Sequence, residues 1–115
     1  MDNLEKGLRW FDQASADLKT ARDCLRDGNY YASASFSQQA AEEALKGFLY
    51  SRGYRALLTH SVIDLLDKAS KIEFSFRVFM DYGRELDRHY IGSRYPNLYT
   101  REITERCLSY AELIA

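Results

Sequence analysis

The stretch YYASASFSQQAAEEALKGFLYSRG, residues 30–53, decides the fold. Its apolar residues recur at threes and fours and not in alternation, so it reads as a helix. Two apolar faces run along it. Ala34, Ala41, Leu45 and Phe48 make one; Phe36, Ala40, Ala44 and Gly47 make the other. The small residues of the second face let a neighbouring helix approach closely. A helix buried on two sides belongs in the middle of a bundle. Its expected span is Tyr30 to Arg52, closed by Gly53, because glycine accepts the left-handed conformation that ends helices.

The flanking sequence supplies the rest of that bundle. Leu4, Leu8, Phe11, Ala14, Leu18, Ala21 and Leu25 form the stripe of a first helix, capped by Asp2 or Asn3 and ended at Asp27-Gly28-Asn29. After the connection from Tyr54 to Thr59, Thr59 or Ser61 caps a short helix from Val62 to Ala69, with Asp64 well placed in its first turn. A fourth helix is expected from Glu73 to Tyr90, with Phe79, Tyr82, Leu86 and Tyr90 on one face. Gly92 and Pro96 stop it. A fifth runs from Thr100 to Ile114 on Ile103, Cys107, Tyr110 and Ile114. No segment alternates β-branched residues, and no repeat or internal boundary is evident. The expected fold is all-α: one domain over residues 1–115, an antiparallel up-and-down bundle of four main helices plus a short one.

Composition excludes several function classes. A 46% apolar content suits a globular domain, and the net charge of −1 gives no global pull toward nucleic acid or an anionic membrane. No long apolar run marks a signal peptide or a membrane span, so the cytoplasm is the expected compartment. Cys24 and Cys107 lack metal-ligand spacing and read as small core residues; with two histidines in all, no metal and no cofactor is expected. Nucleophile-elbow and phosphate-cradling glycines are absent as well.

Four stretches carry a resemblance to a known family: YYASASFSQQAAEEALKGFLYSRG, HSVIDLL (residues 60–66), ELDRHYI (85–91) and SRYPN (93–97). Together they resemble the prokaryotic HEPN domain family over nearly the whole chain, in order and at the right spacing. The resemblance implies a helical bundle that dimerises. It also implies pairing with a separate minimal nucleotidyltransferase, in some cases as the toxin of a toxin–antitoxin pair. Members with an Arg, four to six residues and then a His are metal-independent ribonucleases. Members without that motif act as nucleotide-binding or non-catalytic partners.

Arg84-Glu-Leu-Asp-Arg-His89 satisfies the ribonuclease spacing. His89 would serve as general acid or base on the ribose 2′-hydroxyl and the leaving oxygen, and Arg84 would stabilise phosphate charge. Three features oppose this. Five helical steps of ~100° put the two residues about 140° apart. Glu85, directly after the Arg, repels phosphate. The family's active motif also favours an Arg-Asn start and a Tyr two places after the His, where this chain has Ile91. The preferred reading makes Arg84 and Arg88 solvated helix charges, with His89 at a helix C-terminus that favours imidazolium.

Arg94 and Tyr95 are candidates of another kind, since an Arg fork grips phosphate and a loop Tyr stacks on a base. The alternative is that Tyr95-Pro96 packs the loop while Arg94 meets helix-end carbonyls. His60, ahead of a helix start, is placed to complete a phosphate pocket with Lys46 and Arg94, or else is a half-buried side chain bonded to backbone. Glu42 and Lys46 read as an ordinary i,i+4 pair, although Gln38 and Glu42 need partners if the central helix is buried on two sides. Trp10, Phe11, Tyr30 and Tyr31 are expected to cluster near the first hairpin, in the core or at a dimer patch. The function expected overall is a homodimeric nucleotide- or RNA-interacting partner of a minimal nucleotidyltransferase. The alternatives are a ribonuclease using Arg84 and His89, and a non-catalytic helical adaptor.

Overall fold

The structure is a computed structural model that describes the backbone of residues 2–92 and 100–115, and the side chains of these except 89–92. Every regular element among the described residues is helical. The chain runs α1 (Asn3–Arg26), α2 (Tyr30–Ser51), α3 (Val62–Ile72), a 3₁₀ helix (Phe74–Phe79), α4 (Met80–Gly92) and α5 (Arg101–Ile114).

Local chemistry sets the ends. Asp2 caps α1 by accepting from the Glu5 amide at 2.8 Å. Gly28, at φ +79°, turns the chain so that the Asn29 amide returns to the Cys24 carbonyl at 2.7 Å. Gly53, at φ +104°, does the same after α2, where Tyr54 N–H reaches the Leu49 carbonyl. Thr100 caps α5 through the Ile103 amide.

The two-faced α2 sits where its pattern demands. Leu45 and Leu49 are fully buried with Val62, Leu65, Leu66, Leu86 and Cys107 on one side of it. On the other side α1 lies antiparallel and unusually close. A Cβ on Gly7 would stand 2.7 Å from the Gly47 carbonyl oxygen, so glycine is required for this backbone approach. Further along, Ser33 Oγ donates to the Ala21 carbonyl at 2.7 Å across the same interface. α5 packs against both helices of this hairpin, with an Arg22–Glu112 ion pair and the Arg101 guanidinium over Tyr30.

Three local expectations are corrected. The first stripe is buried only in its C-terminal part: Ala14, Leu18 and Ala21 are in the core, whereas Leu4 and Leu8 stand more than half exposed and Phe11 lies at the surface. The fourth helix does not start as an α-helix at Glu73. Glu73 is extended, and the Phe-rich run after it winds as a 3₁₀ helix, because aromatic and β-branched side chains gain little from an α-helical turn. The short third helix runs on to Ile72.

The start of α3 is capped twice. Ser61 Oγ accepts from the Asp64 amide at 3.2 Å, as its sequence position predicts. Asp87, from α4, also accepts from the Val62 amide at 2.6 Å, the Ile63 amide at 3.1 Å and the Ser61 hydroxyl at 2.8 Å. Its charge therefore ties α4 to the positive end of α3 and fixes the segment that carries His60. Asp87→Ala is expected to cost about 1.5–3 kcal/mol of stability by urea unfolding, with Asp87→Asn recovering part of the loss. An unchanged midpoint in Asp87→Ala would show that Ser61 suffices as the cap.

Candidate functional site

Between α1, α2 and the start of α3 lies an open cleft of about 290 Å³, lined by Trp10, Gln39, Glu42, Glu43, Lys46 and His60. A second recess of about 330 Å³, lined by Thr59, His60, Ser61 and Asp87, adjoins it through His60.

α2 presents Gln39, Glu42, Glu43 and Lys46 over two successive turns. Gln38 Nε2 donates to the His60 carbonyl at 3.0 Å and so holds the connection against α2. One carboxylate oxygen, Glu42 Oε1, then meets two bases: His60 Nδ1 at 2.7 Å and Lys46 Nζ at 3.2 Å. The Glu42 and Lys46 side chains are 8% and 7% exposed, whereas the His60 side chain is 60% exposed. The expected i,i+4 pair is present, but its burial sets it apart from an ordinary solvated pair. Glu42 and Lys46 are buried, and removing either strands a charge. The half-buried reading of His60 is corrected too: its ring is exposed and lies against Glu42, while Gln38 holds its backbone.

Lys46 continues into a column of rings. Its ammonium lies 5.4 Å from the Trp10 centroid, Trp10 stacks on Tyr50 at 5.8 Å, and Lys6 Nζ sits 3.9 Å over Tyr50. α1 and α2 contribute alternately. Trp10 therefore does not join Tyr30 near the α1–α2 turn, as expected, but packs toward the opposite end of α2.

Glu43 is the unusual acid of the cleft. Burial, then a hydrogen bond with Asp17, pushes its carboxyl up to about 9. Asp17 is itself buried and accepts from Gln13 Nε2 at 3.1 Å. Glu43 therefore keeps a proton at neutral pH, and its Oε1 is buried without a hydrogen-bond partner among the described residues. With Glu43 neutral, the described lining of the cleft carries one negative charge fewer, and Glu42 sits against Lys46. Anionic ligands are then not repelled. Burial also raises the Cys107 thiol to about 12, so it is an inert core group. Both cysteines are free, and no group of three or more metal-ligating side chains occurs among the described residues.

The sequence-predicted residues divide. Lys46 and His60 are brought together through Glu42. Arg94 and Tyr95 lie outside the described residues. Arg84 is more than half exposed and paired with Asp81, on the same unbroken helix as residue 89; the His89 side chain lies outside the described residues. Sequence reading gave no role to Asp17, Glu43 or Asp87, and it put Trp10 at the first hairpin and not in the cleft. Asp17 did carry a signal, since it falls three residues after Ala14 and four before Ala21 on the buried side of α1.

The raised Glu43 pKa gives stability a pH dependence of definite sign. A folded-state value above the ordinary 4.5 favours the folded protein at low pH, and this contribution is lost as pH rises toward about 9. Glu43→Gln removes the titration. Its melting temperature relative to the parent is expected to rise between pH 5 and pH 9, by roughly 4 °C or more. A difference that stays flat across that range would place the proton elsewhere.

Comparison with known proteins agrees with this architecture. Residues 8–115 match the HEPN domain family. TT1696 from Thermus thermophilus is 33% identical, with a TM-score of 0.83 over 95% of this chain and 92% of its own. ST0689, an archaeal HEPN homologue, is 30% identical, with a TM-score of 0.77 over 95% of this chain and 91% of its own. No curated protein matches. With its helical order, its length and these likenesses in agreement, the chain belongs to the HEPN domain family.

Proposed function

We propose that this HEPN chain is a dimeric, cytoplasmic nucleotide- or RNA-interacting partner of a minimal nucleotidyltransferase, acting within a toxin–antitoxin pair, and that nucleotide binds in the α1–α2–α3 cleft. The observation that carries the binding reading is the juxtaposition of the outward His60 ring, the Lys46 ammonium and the Trp10 indole in one cleft. His60 and Lys46 supply donors for phosphate, and Trp10 offers an aromatic surface to a base. Arg94 and Tyr95 would add a guanidinium fork and a second ring. The partner and the pairing rest on the family resemblance.

The ribonuclease alternative asks Arg84 and His89 to converge. α4 runs unbroken from Met80 to Gly92, so their backbone positions stand about 140° apart around it. Arg84 is also engaged by Asp81. Both observations favour binding over cleavage within one chain.

Titration calorimetry with ATP and with GTP tests the reading. The parent is expected to bind one of them, and His60→Ala and Arg94→Ala are each expected to weaken binding by about tenfold or more, the loss of a charge-assisted hydrogen bond. No binding by folded, dimeric parent protein would overturn the reading in favour of a non-catalytic adaptor. Cleavage of a mixed RNA pool in EDTA, abolished by both Arg84→Ala and His89→Ala, would replace it with a ribonuclease.

A further inference from the structure

The first half of α1 leaves one apolar face uncovered. Leu4, Leu8, Phe11, Ser15, Leu18 and Arg22 fall on one line at helical spacing. At the far end of that line Leu18 is buried, and Arg22 pairs with Glu112 of α5. The near end is open: Leu4 is 63% exposed, Leu8 52% and Phe11 37%. α2 bounds this open end on one side, where a Cβ on Gly47 would stand 3.3 Å from the Phe11 ring. Lys6 and Trp10, which belong to the ring column, fall on the other side of Gly7 and so turn away from it.

The charges on the free edge select the occupant. Glu5 and Asp12 stand three residues before and four residues after Leu8, so they flank it on the side away from α2. Both are exposed, and neither carboxylate forms an ion pair among the described residues. Arg9 falls about 100° round from Leu8 and off this edge. Three apolar anchors at i, i+4 and i+7, edged by two unpaired carboxylates, match a helix with apolar residues at the same spacing and cations along one flank. Other occupants meet the same acids unfavourably. Two copies paired antiparallel on this face would set the Glu5–Asp12 edge of one against that of the other, and an anionic lipid surface is repelled.

We infer that the Leu4–Leu8–Phe11 face of α1 is the docking site for an amphipathic helix of another protein, one that brings Lys or Arg to Glu5 and Asp12. The face is separate from the cleft, which Trp10 lines from the opposite flank of α1. Docking here is therefore independent of nucleotide binding there.

Fluorescence anisotropy with a fluorescein-labelled peptide of about 18 residues tests this, with leucine at helical spacing and lysine elsewhere. The same peptide with glutamate in place of lysine is the control. The parent is expected to bind the lysine peptide about tenfold or more tightly than the glutamate peptide. Leu8 is exposed, so Leu8→Ser is expected to melt as the parent does while weakening the lysine peptide about tenfold. Glu5→Lys with Asp12→Lys should reverse the preference in favour of the glutamate peptide, which a loss of structure would not do. The proposal is overturned if the parent does not favour the lysine peptide, or if Leu8→Ser or the charge reversal leaves that affinity unchanged. It is also overturned if Leu8→Ser lowers the oligomeric state in sedimentation, which would make the face an interface between copies. Loss of co-sedimentation with phosphatidylglycerol vesicles in Leu8→Ser would overturn it in favour of a lipid-binding face.

Discussion

The close approach of α1 and α2 at Gly7 and Gly47 is the constraint from which the rest of the molecule is built. A single added carbon at Gly7 would press into the carbonyl of the opposing helix. Because the backbones touch there, the register of the two helices is fixed along their length. Gly7 faces Gly47 and Ser51, Trp10 reaches Lys46 and Tyr50, Asp17 meets Glu43, and Ala21 receives the Ser33 hydroxyl. Each forward step along α1 is a backward step along α2. The aromatic column and the raised Glu43 carboxyl are thus two readouts of one packing contact.

The cleft owes its order to ties from several directions. The segment 59–61 has no regular structure of its own, yet α2 holds it through Gln38 and Glu42 while α4 holds it through Asp87. His60 is therefore presented by two helices and not by a free loop. This arrangement holds the backbone that carries the ring in one place, as a pre-organised site requires. A buried Glu42–Lys46 pair is expensive to desolvate, and the contacts to His60 and to the Trp10 face help to offset that cost.

What the sequence made legible is what depends on neighbours three or four residues apart. The two-sided pattern of α2 gave its central place, and Asp2, Ser61 and Thr100 announced their helix starts. Features that depend on distant residues were not legible. Asp87 caps a helix more than twenty residues away, and nothing in ELDRHY says so. Leu4, Leu8 and Phe11 continue the apolar stripe of α1, but periodicity cannot tell where the covering helices end. The 3₁₀ segment kept a helical period of apolar residues while changing its winding. The contact of Glu43 with Asp17 is another of these, since it joins α1 and α2 across twenty-six residues. The family resemblance gave the fold, whereas the details of the cleft came from packing.

The column of rings has one more consequence. Trp10 is the sole tryptophan of a chain with nine tyrosines, and it stacks on one of them, Tyr50, at 5.8 Å. Its other side meets the Lys46 ammonium at the rim of the cleft. Tyrosine excitation therefore drains to a single indole whose emission is set by a cation that also lines the cleft. The molecule carries its own optical probe at the one place where occupancy of the cleft would be felt.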